Sequence, residues 1–311
     1  MIDIAIIGSG IAGLAAARRL AAAGHAPVIF DKGRGIGGRV ATRRGDGVQF
    51  DHGAQYVTAR DTAFAACLDD FLARGSAARW PDDARHDRIV GQPGMSALAK
   101  AMGDGLDIRQ GSEVRALRRD ATGWHLQLAG SDHHAAHVIV AIPAPQVAAL
   151  IGADDPLVPL LAPVRYDPCL TLMAVTDAPA PFTSRLDSDD VLPWIAQDSA
   201  KPGRPANMLP AWVAQAAPCL SRAHLDLDPA GIAALLLPLL CDRLGADPAR
   251  VRHAVGHRWR YARVTVPLGR SSLASACNTL HLAGDWCLGP RVEDAWISGR
   301  AAADALLGAM G

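Results

Sequence analysis

The stretch MIDIAIIGSGIAGLAAARRLAAAGHAPVIFDKG constrains this chain more than any other. Ile4 to Ile7 form an unbroken apolar run, the pattern of a parallel strand buried on both faces. Gly8, Gly10 and Gly13 follow with G-x-G-x-x-G spacing. In such a turn Gly8 permits the sharp reversal and Gly10 lets the backbone approach a diphosphate. Gly13 lets the next helix pack closely on its strand. Ile11 and Ala12 open that helix, whose N-terminus faces the negative charge. The pattern predicts a helix over 11–23, ended by Gly24, and a second strand over 28–30. Asp31 closes that strand, with Lys32 beside it, about 20 residues beyond the glycines, where a carboxylate accepts hydrogen bonds from an adenosine ribose. Turn, helix, strand and acid in this order predict an α/β, Rossmann-like dinucleotide-binding domain. They leave NAD and FAD both open.

Composition narrows the class. Lys+Arg and Asp+Glu both number 31, so no electrostatic footprint for nucleic acid is expected. Six cysteines are scattered without a C-x-x-C pair or a Cys/His cluster at zinc spacing, which predicts reduced thiols in a cytoplasmic protein and no metal site. The N-terminal apolar run is too short, and lacks the basic lead, for a signal peptide. No stretch approaches the ~20 apolar residues of a membrane span.

After Asp31 the chain reads KGRGIGGRVATRRGDGVQFDHGAQY, and Gly37-Gly38-Arg39-Val40-Ala41-Thr42 matches a G-G-R-x-x-S/T signature. Here the sequence resembles the flavoprotein family of amine oxidases, phytoene desaturases, protoporphyrinogen oxidases and renalases. The resemblance implies noncovalent FAD, with Gly38 and Arg39 at the diphosphate and flavin linker. A guanidinium suits that role on its own chemistry, because it pairs bidentately with phosphate oxygens. The resemblance also places Gly53, Ala54, Gln55 and Tyr56 along the isoalloxazine edge and the backbone of Val114 against adenine. Near the end, LAGDWCLGPRVEDAWISGR matches the returning strand and helix that complete such a site. Asp285, after Gly284, is then expected at the ribityl or phosphate groups. Arg291, Val292 and Ala295 lie at the start of a helix reaching about Leu307. A helix N-terminus there would stabilise negative charge on the reduced flavin.

The resemblance implies a discontinuous FAD domain of the glutathione-reductase type over 1–58, 89–143 and 278–311. A second, α+β substrate domain is expected over 59–88 and 144–277, on a mixed sheet with helices on one side. Strand candidates there are 170–175, 191–196 and 251–261. A helix is predicted over 229–244, with Asp228 as cap and Pro229 in its first turn. A further helical segment is predicted over 61–74.

Within the family the sequence is most similar to short bacterial renalases, in FDHGAQYVTAR, VGQPGMSALAKAM, DSAKPGRP, HRWRYA and the terminal run. That implies an oxidase taking hydride from dihydropyridine isomers of NAD(P)H, reduced at ring position 2 or 6, and passing electrons to O₂ to give H₂O₂. Two alternatives stand beside it: a flavin-dependent amine oxidase and a non-catalytic FAD-binding redox sensor. Amine oxidases of the family flank the substrate nitrogen with two aromatic rings, one just before the terminal helix. Here that neighbourhood is Gly289-Pro290-Arg291. They also tend to place a lysine near the flavin, whereas Lys201 reads as a residue of a Pro/Gly loop. Alternation in VGHRWRYAR puts His257, Trp259 and Tyr261 on one sheet face. Trp259 and Tyr261 are either walls above the flavin or core aromatics. His257 and Trp286 are secondary candidates, and Cys287 is expected near the flavin without a covalent link.

Overall fold

The computed structural model describes residues 1–45, 47–81, 87–177, 182–205 and 209–311. Strand β1 (Ile2–Ile7), helix α1 (Ile11–Ala22) and strand β2 (Val28–Phe30) form the unit that the first glycine turn predicts. A hairpin of β3 (Thr42–Gly45) and β4 (Val48–Asp51) precedes helix α2 (Thr62–Ala73). Strands β5 (Ala77–Arg79) and β6 (Ile89–Gly91) pair next, followed by helix α3 (Ser96–Gly103). Then come β7 (Asp107–Arg109), β8 (Val114–Asp120), β9 (Gly123–Leu128), β10 (Asp132–Val140) and helix α4 (Ala144–Ile151). The second half holds β11 (Arg165–Val175), β12 (Ser184–Leu186), β13 (Trp194–Gln197), β14 (Ala211–Gln215), α5 (Pro218–Ala223), α6 (Pro229–Leu244) and β15 (His253–Val266). The chain returns through β16 (Leu273–Ala274), β17 (Leu280–Leu282) and α7 (Val292–Met310).

The first sheet runs β16-β17-β10-β1-β2-β7, with β9 and β8 hairpinned onto β10. Its central strands are parallel, and Ile4 to Ile7 are buried in the middle, which is why their side chains do not alternate. Helix α7 lies directly on α1: a Cβ on Gly299 would come within 2.0 Å of the Ala12 carbonyl oxygen. The last helix thus closes over the first, and the far end of the sequence completes the opening fold.

The second sheet, β12-β13-β14-β11-β15, is antiparallel at every pairing. It is not the mixed sheet expected for this region; the mixed sheet is the first one. The reason is connectivity. Helices α5 and α6 link β14 to β15, which do not pair, so no βαβ crossover joins neighbouring strands here. Helix α6 covers one face with Ile232, Leu236 and Leu240 against Leu170, Leu172, Ile195 and Trp212. Its Asp228 cap accepts from the Gly231 N–H at 2.7 Å, and Gly245 ends it at φ 64°. The opposite face turns toward the β3–β4 hairpin, whose Phe50 packs on Met173, Val175 and Val213. His133 and His134 lie on β10, and the His134 ring stacks on His125. Among the described residues, no helix is long and apolar enough to cross a membrane.

Candidate active site

The floor begins at the first glycine turn. Gly8 has φ 101°, and a Cβ on Gly13 would lie 1.9 Å from the Gly8 carbonyl oxygen, so neither tolerates a side chain. Gly10 differs: a Cβ there would meet nothing within 4 Å, because its space opens into a cavity. The second glycine segment docks on the first through the Gly37 N–H to the Ser9 carbonyl at 2.8 Å. The Asp31 carboxylate accepts from the Ser9 N–H (2.6 Å), the Ser9 hydroxyl (2.7 Å) and the Gly33 N–H (2.6 Å). Three of its roughly four acceptor sites are therefore used in shaping the turn, leaving about one for a ribose hydroxyl.

Arg39 and Asp285, 246 residues apart, form a bidentate pair at 2.7 and 2.8 Å. The same guanidinium donates to the carbonyls of Tyr261 and Ala262, at 3.2 Å each. Arg39 therefore joins floor, returning strand and roof. Each charge neutralises the other, so Asp285 can face a ribityl hydroxyl without repelling a nearby diphosphate. Helix α7 starts beside this pair. Its Glu293, 1% exposed, accepts from the N–H groups of Arg60 and Asp61 at 2.6 Å each. Nothing in the local sequence signals this anchor, because its partners lie more than 230 residues away.

One cavity of about 1830 Å³ runs between the two sheets. Cofactor pockets span ~300–1,000 Å³, so the space admits a dinucleotide and a second molecule. Every residue that the sequence placed at FAD lines it, from Gly8, Gly10, Ile11, Ala12, Asp31 and Lys32 to Val114 and Ala295, with one exception. Gly13 lies behind the turn, as its packing role requires. Open space beyond Gly10, the paired Arg39 and a helix start at Val292 together fit FAD.

The roof supplies Trp259, Tyr261, Trp194 and Gln215. Trp259 donates to the His52 carbonyl and Gln215 to the Gly53 carbonyl, both at 2.8 Å, so roof and floor are tied at the cavity edge. Trp194 and Gln215 were not identified from sequence; they face the cavity only through the register of β13 and β14.

Four sequence readings change. Trp286 is fully buried outside the cavity, its indole N–H on the Ile142 carbonyl at 3.1 Å, so it is a core residue. His257 also lies outside the lining, packed edge-on against Trp259 and His52. Cys287 is fully buried away from the cavity, and burial pushes its thiol up to about 12. Lys201 is no ordinary loop residue. Its ammonium is buried, with Asp198 at 2.9 Å, Asp51 at 3.3 Å and the Gln55 side-chain oxygen at 3.2 Å. Arg204 contacts both carboxylates as well. Burial and the neighbouring Asp198 push the Asp51 carboxyl up. Against the cost of burial, Lys201 and Arg204 hold that of Asp198 down. Gln55 is saturated, since its amide also donates to the Asp51 and Gly53 carbonyls, so it has no free donor for chemistry.

Comparison with known proteins places the chain. The profile of the NAD(P)-binding Rossmann-like domain matches residues 6–71, and that of flavin containing amine oxidoreductases matches residues 78–307. A 4,4'-diapophytoene desaturase of Staphylococcus haemolyticus (strain JCSC1435) is 48% identical over 58 residues, 19% of this chain and only 12% of the desaturase. A solved structure assigned as a protoporphyrinogen oxidase from Exiguobacterium sp. 255-15 covers 99% of both chains with TM-score 0.79 at 15% identity. Cyclohexylamine oxidase from Brevibacterium oxydans IH-35A covers 99% of both with TM-score 0.75 at 14% identity. At these identities the likeness is one of fold. The profile match over most of its length makes this chain a member of the flavin containing amine oxidoreductase family, an FAD-dependent oxidoreductase on a Rossmann-like domain.

Proposed function

We propose that the protein is a renalase-like oxidase that takes hydride from dihydropyridine isomers of NAD(P)H. The observation carrying this reading is the charge of the cavity. Ten lysine or arginine residues line it against four aspartate or glutamate, in a chain whose totals are equal. The diphosphate of FAD offsets two of the six surplus positive charges, so an anionic substrate is favoured and a cationic amine is repelled. When bound, FAD accepts hydride and passes the electron pair to O₂, giving H₂O₂ and NAD(P)⁺. The remaining work is orientation. Hydride loss from a dihydropyridine yields an aromatic pyridinium, so no strong base is needed. Trp259 and Tyr261 provide flat walls for the ring.

Amine oxidation is the second reading, and two observations favour it. Tyr56 and Trp194 line the cavity with ring centroids 5.5 Å apart, and Lys201 touches Gln55. Yet a cation already stands on that aromatic pair. The Arg88 guanidinium carbon is 4.4 Å from the Tyr56 ring centroid and 4.9 Å from that of Trp194. A substrate ammonium would have to displace it.

The test is anaerobic mixing with the isomer mixture made by borohydride reduction of NAD⁺, followed at the flavin absorption band. Bleaching by the 2- and 6-dihydro isomers, with little by ordinary NADH, is expected. Fast bleaching by a primary amine and none by the dihydropyridines would transfer the assignment to amine oxidation. A yellow protein inert to both would favour a redox sensor.

A further inference from the structure

Strand β15 breaks a rule at the cavity mouth. On a regular strand successive side chains point to opposite faces, so only alternate residues can meet one cavity. Here six consecutive residues, Arg258 to Arg263, all line it. The register explains this. Trp259 pairs with Cys169 and Arg263 with Asp167, so four steps on β15 match two on β11. The surplus forms a bulge, a device that re-aims side chains beside sites. Arg39 holds the bulge from below, through the Tyr261 and Ala262 carbonyls.

The bulge and the strand on either side of it carry three exposed arginines whose charges are poorly offset: Arg258 just before it, Arg260 within it and Arg263 at its end. Arg258 donates to a neutral carbonyl, that of Leu225, at 2.8 Å. Arg260 is 3.6 Å from Asp226, a carboxylate 95% exposed and therefore well screened. Arg263 makes no ion pair among the described residues. Its cross-strand neighbour Asp167 is engaged by Arg222. FAD's own diphosphate belongs to the glycine turns on the floor, so the bulge faces a different anion.

We propose that Arg258, Arg260 and Arg263 form a phosphate-binding subsite that grips the diphosphate of a dinucleotide substrate while its ring lies under Trp259 and Tyr261. This deepens the functional reading above and rests on it for the identity of the ring. Selectivity follows: a dihydronicotinamide without phosphates loses these contacts and keeps only the ring's.

The experiment uses the FAD-saturated full chain and the double variant Arg260→Gln/Arg263→Gln, with ADP-ribose as a diphosphate probe that has no reducible ring. Calorimetric Kd should rise about ten-fold for each arginine, as for one lost charge-assisted hydrogen bond. Its dependence on salt should flatten. With dihydropyridine substrates, the ratio of kcat/KM for the dinucleotide to that for a phosphate-free N-methyl analogue should fall by a similar factor. Equal ADP-ribose affinity in wild type and variant, or no ADP-ribose binding by wild type, overturns the subsite. So does loss of FAD from the variant, which would assign these arginines to the cofactor. Arginine-dependent binding without oxidation of any dihydropyridine would uphold the subsite and reject the proposed reaction.

Discussion

Arg39 is the residue on which the floor depends most. Replacing it with alanine leaves Asp285, 6% exposed at its side chain, without its partner. Breaking a buried pair costs ~3–5 kcal/mol, and the low end applies because the guanidinium is 29% exposed. Arg39→Ala should therefore purify with substoichiometric FAD and a lowered melting temperature, whereas a plain solvated arginine would change neither. Trp286→Phe tests the correction made for that residue. It should lower stability by about 1 kcal/mol through the lost bond to Ile142 and leave kcat/KM unchanged. His52 gives a pH signature. Burial, then the neighbouring His257, push its pKa down to about 4 from 6.5. A group depressed in the folded state contributes stability that is present above pH 6.5 and lost as pH falls through 4. The shift corresponds to roughly 3 kcal/mol. His52→Leu should flatten the melting temperature between pH 6.5 and 4, and an unaltered slope would reject that assignment.

At the scale of elements, legibility followed locality. The first strand-turn-helix unit could be read because every residue that shapes it lies within about 25 positions. Helix α6 was read to both ends because its start signals, Asp228 and Pro229, are local, as is the Gly245 that caps its last turn. The roof resisted for the opposite reason. Strand β15 runs to Val266, beyond the predicted 261, and its bulge depends on pairing with β11, which no local pattern encodes. The packing of α7 on α1 was equally hidden, although Gly299 marks it. Gly299→Ala would thrust a methyl group within 2.0 Å of the Ala12 carbonyl. Such overpacking costs ~1–3 kcal/mol, and because the first turn of α7 lines the cavity through Val292 and Ala295, retention of FAD should fall with it. An alanine variant with normal FAD content would mean that the two helices separate freely.

For the whole molecule, the site exists only where floor and roof meet, and a buried cluster fixes that meeting. Asp51 comes from the floor, and Asp198, Lys201 and Arg204 come from the roof loop, all with fully buried side chains. The sequence displays these residues as an acid in FDHG and a polar run in DSAKPGRP, with nothing to show that they balance one another. Lys201→Met leaves two buried carboxylates sharing one cation, and a melting temperature lower by on the order of 10 °C is expected. Adding Asp198→Asn should restore part of that loss, which a simple packing defect would not allow. The broader claim is that residues near 10, 39, 114 and 292 converge on one dinucleotide. Acid precipitation of the purified protein tests it most directly. The account predicts about one FAD per chain, all of it released into the supernatant. A colourless chain that takes up no added FAD, or flavin that stays with the precipitate, would contradict it.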